Sequence, residues 1–249
     1  MPTNSPDIKQ FLFNKALPYK DRLFFVQHLA PYEFFYSRCK NKNVLEIGIG
    51  DGFGSYHISV IARKVIAVDA DLSRYNSLKK YIETYSRYNI RFINADGLGL
   101  PFKDESLDRV ITCQVIEHIP EDKLSLFLRE INRVLKNDGL CLFSTLNVEN
   151  NIKNVMTYEK FYQHHKEFNK DEFGDLLSQF FAKVSILGLD VSMKHRIFRR
   201  LKRWGLMEYK IKGYKPVRNF YDNVSLSDFK ITPKVSRHSL DLIGLCTKL

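Results

Sequence analysis

The sequence predicts a doubly wound α/β fold, a mostly parallel sheet with helices on both faces. Three observations predict it. Short apolar runs alternate with stretches whose apolar residues recur at helical spacing. Most of those runs are continuous rather than alternating, as strands buried on both faces require. The first run leads directly into a glycine-rich turn and then a helix.

Residues 1–40 read as a helical preamble with an aromatic face, HLAPYEFFY. NVLEIG (43–48) is the first strand, and the glycine turn after it opens a helix through Ile58 and Ile61. KVIAVD (64–69) is the second strand, followed by Tyr75, Leu78, Ile82 and Tyr85 at helical spacing. IRFIN (90–94), LDRVITC (107–113) and LCLFST (140–145) are further strands. Between the last two lies EDKLSLFLREINRVLKNDG, a helix with Leu124, Phe127, Leu128, Ile131 and Leu135 as its apolar stripe. Glu121 and Asp122 suit the positive end of that helix, and Asn-Asp-Gly is its expected stop. A helix around Phe173, Leu176, Leu177 and Phe180 precedes a strand at KVSILGL (183–189), and LDLIGLC (240–246) is the last strand. The expected organisation is one domain over 1–249: helical segment 1–40, cofactor core 41–190, basic insertion 191–236 and final strand 237–249.

Composition narrows the class. A hydrophobic content of 44% excludes a disordered chain. No apolar run reaches the roughly 18 residues of a spanning helix. The first residues lack a secretory leader, and Cys39, Cys113, Cys141 and Cys246 are scattered, so reduced thiols in a cytoplasmic protein without a bound metal are expected. The net charge of +11 is localised. Ten cations between Val191 and Tyr221 (Lys194, Arg196, Arg199, Arg200, Lys202, Arg203, Lys210, Lys212, Lys215 and Arg218) face only Glu208, a local +9.

The turn reads VLEIGIGDGFGS, with Gly48, Gly50 and Gly52 in G-x-G-x-G spacing and Glu46 two residues before them. Glycines here let backbone approach a ligand, although they also mark ordinary tight turns. Asp69 ends the second strand, where a carboxylate can accept both hydroxyls of a ribose. Asp96 ends the third strand in NADG, placed to accept from an adenine amine, and Gln114 follows the fourth. Each aspartate could also be a turn residue. In common, these positions lie at carboxyl ends of parallel strands, where open α/β sheets bind ligands.

On these residues the sequence resembles the class I S-adenosylmethionine-dependent methyltransferases. The resemblance runs from about Leu29 to Phe181 through VLEIGIGDGFGS, VIAVDAD, INADGLGLPFKDESLDRVITCQVIEHI, FLREINRVLKNDG, LFSTLN and HHKEF. It implies a Rossmann-like seven-stranded sheet with an antiparallel last strand, and S-adenosylmethionine as cofactor with S-adenosylhomocysteine as product. Glu46, Gly48, Gly50 and Gly52 would underlie the methionine part. Asp69 and Ala70 would hold the ribose, and Asp96 and Gly97 the adenine. Gln114 would line the pocket between them. The sequence departs at Ile49, at Asn137-Asp138 and at Leu146, none of which removes a cofactor contact.

The resemblance also implies an enzyme, with O-methylation of a small molecule or a glycan, including a lipid-linked one, as the expected reaction. No N/D-P-P-Y follows the fourth strand, so a flipped nucleobase is not the expected acceptor. His118 in VIEHI and His164 in H-x-x-E-F (His164, Glu167, Phe168) are the candidate bases, each also readable as a structural histidine. His165 and Tyr162 are nearby candidates. RNA methylation and a non-catalytic cofactor-binding scaffold are the alternatives. In KHRIFRRLKRWGLM, Ile197, Phe198, Leu201 and Trp204 form an expected apolar face among cations. It reads as a packed helix, as a peripheral contact of 194–218 with an anionic membrane, or less readily as a nucleic-acid surface.

Overall fold

The computed structural model describes residues 19–151, 158–203, 220 and 223–248. Two compact units form along the chain: 31–190 with 231–249, and the described parts of 1–30 with 191–230. The strands are β1 (Asn43–Ile47), β2 (Lys64–Asp69), β3 (Ile90–Asn94), β4 (Leu107–Cys113), β5 (Leu135–Leu146), β6 (Phe181–Val191), β7 (Phe229–Thr232) and β8 (Asp241–Lys248). Their spatial order is β3-β2-β1-β4-β5-β8-β6-β7. β1 to β5 pair in parallel, while β8 lies antiparallel between β5 and β6. Strand order reverses between β1 and β4, which opens a crevice at their carboxyl ends.

The helices are α1 (Tyr19–Tyr36), α2 (Phe53–Ser59), α3 (Arg74–Tyr85), α4 (Leu124–Val134), α5 (Val148–Asn151), α6 (Lys170–Ser178) and α7 (Met193–Arg203). On one face of the sheet, Leu45, Ile47, Ile66, Val68 and Val110 pack with Phe127, Leu128 and Ile131 of α4 and Phe173 and Leu177 of α6. A reciprocal capping box starts α6: Asn169 Oδ1 accepts from Glu172 N, and Glu172 Oε2 accepts from Asn169 N. Side-chain alternation turns Glu46 to the opposite face, where Tyr32 of α1 and Ser55 of α2 meet it. The last turns of α1 are fastened to α2 by His57, buried under a stacked Tyr36 ring, with its Nε2 3.0 Å from Glu33 Oε2.

Three sequence expectations are corrected. The sheet has eight strands rather than seven. The additional β7, FKIT, is only four residues long and stops before Pro233, too short for a periodicity signal. The helix expected over EDKLSLFLREINRVLKNDG ends at Val134, short of its expected Asn-Asp-Gly stop, because Leu135 is extended and opens β5 opposite Leu107. The register then jumps to Arg109 opposite Leu140, so Asn137-Asp138-Gly139 is an irregularity within the strand rather than a helix stop. Leu135 is fully buried either way, so helical spacing alone could not decide its partner. In α7, Phe198 is buried and stacks on Phe220 with ring centroids 3.7 Å apart, whereas Ile197 points outward with Met193. Trp204, Lys210, Lys212, Lys215 and Arg218 lie outside the described residues.

Candidate active site

The turn between β1 and α2 depends on its glycines for separate reasons. Gly48, Gly50 and Gly52 all have left-handed φ values, +73°, +52° and +80°, in the region side-chain-bearing residues avoid. A Cβ at Gly48 would stand 2.4 Å from Val115 Cγ2. A Cβ at Gly50 would meet nothing within 4 Å and would project into open space. The turn is closed by Gly52 N donating to Ile49 O and Gly48 N donating to Val68 O.

Glu46 holds this turn from beneath. It is 1% exposed, and its two oxygens accept from Tyr32 Oη at 2.6 Å and from Ser55 Oγ. Burial pushes its carboxyl up to about 7, with the nearby Asp69 charge adding to the rise and the Ser55 and Tyr32 hydrogen bonds opposing it. A carboxyl raised in the folded state binds its proton more tightly there than in the unfolded chain. Its contribution to stability is therefore present at low pH and is lost as pH rises from about 4.5 to about 7. Glu46→Gln, flanked by the same Tyr32, Asp69 and Cys113, is expected to remove this slope. The variant should gain on the order of 3 kcal/mol of relative stability by pH 8. Chemical denaturation at pH 5 and pH 8 checks it; parallel pH dependence in both proteins would contradict it.

Asp69 ends β2, and its Oδ1 accepts from Asp71 N at 2.9 Å. Its Oδ2 has no hydrogen bond among the described residues, and Ala70 next to it is exposed. Asp96 is exposed, with Oδ1 accepting from Leu98 N at 2.9 Å in a local turn. Gly97 is small for packing: a Cβ would stand 2.8 Å from the Phe127 ring. Gln114 takes a left-handed φ of +56°, where its N donates to Ser144 O and its Nε2 to Ser144 Oγ. This strained residue follows β4 and turns the chain toward Glu117 and His118.

The two candidate histidines, distant in sequence, come together. Their ring centroids are 4.9 Å apart in an edge-on arrangement. His164 Nδ1 lies 2.6 Å from Glu167 Oε1, and Glu167 Oε2 also accepts from Tyr158 Oη. His118 Nδ1 lies 3.1 Å from Gln163 O. Since a carboxylate and a carbonyl only accept, each Nδ1 carries a proton, and in the neutral ring Nε2 is then the nitrogen that presents a lone pair. Desolvation lowers the His118 pKa, against the opposing Gln163 bond and with the help of His164 and His165. The segment is fixed by a parallel bridge between Asn147, after β5, and Phe168, and by His165 N donating to Glu117 O. His165 and Tyr162 are exposed, Tyr162 at 84%.

Glu117, beside His118, has no role assigned by sequence reasoning. It is 1% exposed, accepts from Thr145 Oγ1 at 3.0 Å, and is pushed up to about 8 by burial, the Asp241 and Glu167 charges adding to the rise. A polar residue in an apolar strand-end segment is the one signal that could have found it.

These features first define a class: a doubly wound α/β protein with an open glycine turn and strand-end carboxylates at its order switch, suited to a nucleoside-bearing cofactor. A family model described as "Methyltransferase domain" matches residues 45–143. A Mycobacterium tuberculosis protein named "Probable S-adenosylmethionine-dependent methyltransferase" is 33% identical over 192 residues, 75% of this chain and 66% of that protein. The phthiotriol/phenolphthiotriol dimycocerosates methyltransferase 1 of Mycobacterium ulcerans is 31% identical over 111 residues, 45% of this chain and 40% of that one. The chain thus spans just under two thirds of the first relative's length and less of the second's. The structure of a SAM-dependent methyltransferase from Thermotoga maritima superposes with a TM-score of 0.60 at 16% identity, covering 96% of this chain and 100% of that one. The chain belongs to the class I S-adenosylmethionine-dependent methyltransferases. Family and fold imply S-adenosylmethionine as the cofactor.

Proposed function

We propose that this protein methylates an oxygen of a small-molecule or glycan acceptor, including a lipid-linked one. The observation that carries this reading is His164, clamped through Nδ1 by Glu167 and presenting Nε2 beside His118. That is the arrangement of a base for a hydroxyl proton, with a second group orienting the base. The name of the Mycobacterium ulcerans relative supports a small-molecule acceptor rather than a nucleic acid.

The cofactor fits the residues present, because Gly50 leaves open space where its Cβ would stand and Asp69 keeps one oxygen uncommitted among the described residues. Gly48, Gly50 and Gly52 would cradle its amino-acid end, with Glu46 bracing the turn. Asp69 and Ala70 would face the ribose, Asp96 and Gly97 the adenine, and Gln114 the wall between. When bound, the cofactor supplies an electrophilic methyl carbon on a sulfonium. The chain's own tasks are alignment of the acceptor oxygen and removal of its proton by His164 Nε2. Labelled S-adenosylmethionine incubated with separated lipid, glycan and RNA fractions tests the reading. Label is expected in the lipid or glycan fraction, and label confined to RNA would replace this acceptor class with nucleic acid. Cofactor binding without label in any fraction would favour a scaffold.

A second reading concerns where the acceptor is met. The outward face of α7 exposes Met193 (67%) and Ile197 (53%), flanked by exposed Lys194, Arg196 and Arg200. Apolar side chains bordered by cations suit a peripheral contact with an anionic membrane, each cation contributing about 1 kcal/mol. Lys194→Glu, Arg196→Glu and Arg200→Glu together should cut sedimentation with phosphatidylglycerol vesicles on the order of 100-fold. Unchanged sedimentation would assign α7 to packing within its own unit.

A further inference from the structure

We infer that Glu117, His118 and His164 form a binding site for a divalent transition-metal ion, with two histidine nitrogens and one carboxylate as ligands. One ligand atom from each residue lies within 4.8 Å of the other two. Both histidines are already oriented as metal ligands usually are. Their Nδ1–H groups are spent on Glu167 Oε1 and Gln163 O, which leaves both Nε2 lone pairs available. Glu117 Oε2 is held by Thr145 Oγ1, which fixes the third ligand.

Burial supplies a second observation. Glu117 is 1% exposed and the Glu167 side chain 3%, so both carboxyl groups at this cluster are withdrawn from water. Among the described residues, no lysine or arginine pairs with Glu117 or Glu167. A bound cation would offset the cost of burying these two carboxyl groups beside the two imidazoles. Two imidazoles and a carboxylate suit zinc, iron, cobalt or manganese rather than magnesium or calcium. Donors around such an ion stand roughly 3 to 3.5 Å apart for bonds of about 2.1 Å. The three ligands therefore close inward by about an ångström, which the exposed His118 can supply.

The consequence for catalysis rests on the proposed hydroxyl acceptor, but the site itself does not. In the metal-loaded protein the acceptor oxygen would take an open coordination position and become more acidic while His164 Nε2 is a ligand; in the metal-free protein His164 Nε2 is the base. No spacing pattern marks the site, because its ligands come from two distant segments.

The test uses the full chain stripped with chelator. It is titrated with Co²⁺, followed by visible absorption, and with Zn²⁺ by calorimetry. One ion per chain is expected. His118→Ala and His164→Ala should each weaken binding at least 100-fold, and Glu167→Gln about 10- to 100-fold by loosening the ring. His238→Ala, an exposed histidine outside the cluster, should leave affinity unchanged. Thermal melts of the metal-free variants establish folding, and the exposed His118 variant carries the result if a buried one unfolds. Absence of saturable one-to-one binding, or binding retained in His118→Ala/His164→Ala, would overturn the inference. Since no acceptor is present, failure of the proposed methyl transfer would not alter this readout.

Discussion

Gly50→Val is expected to abolish measurable binding of S-adenosylmethionine, a loss of at least 100-fold by calorimetry. Two effects combine at this residue. Its φ of +52° lies in a region that a β-branched side chain enters only with strain. Its Cβ direction is open, so the protein itself does not forbid a side chain there. The added isopropyl group would instead occupy the space into which a ligand on the turn must come. This separates Gly50 from Gly48, whose substitution would collide with Val115 and damage the fold directly. The Gly50 variant should therefore keep its secondary structure by circular dichroism while losing the ligand. Unchanged affinity in a folded variant would move the cofactor away from this turn. Asp69→Ala should weaken binding less, because it deletes one acceptor pair and leaves the cradle intact.

His164→Ala is expected to lower methyl transfer by 10²- to 10⁴-fold, the usual range for loss of a positioned general base, with cofactor affinity within about twofold of the parent. Glu167→Gln should lie between, because the amide keeps an acceptor oxygen but loses the charge that stabilises a protonated imidazole. The split between turnover and cofactor affinity is what a merely structural histidine would not show. Equal turnover in the variant would leave His164 as a loop residue whose bond to Glu167 fixes the chain between Tyr158 and Phe168.

Several parts of this molecule are legible in its sequence. Continuous apolar runs place β1 to β4 within a residue or so, because strands covered on both faces need no polar side. The clustered glycines mark the turn because only they readily adopt three left-handed φ values within five residues. The H-x-x-E-F spacing proposes a histidine and a glutamate in reach of one another, and His164 and Glu167 do meet, at 2.6 Å. Periodicity fails where burial can be satisfied in more than one way. Leu135 is buried as a strand residue as well as it would be on a helix, and Ile197 falls outside a stripe that Phe198 enters.

Local order of elements, the glycine turn, the carboxylates at strand ends and the concentration of charge in one segment belong to the sequence, since each depends on residues only a few positions apart. The meeting of His118 with His164, the burial of Glu117 beside Asp241 and Glu167, and the raised carboxyl of Glu46 belong to the tertiary structure. They depend on strand order, on the bridge from Asn147 to Phe168 and on which side chains are removed from water. No spacing rule carries those long-range pairings, and desolvation exists only once the layers have closed over the groups it acts on.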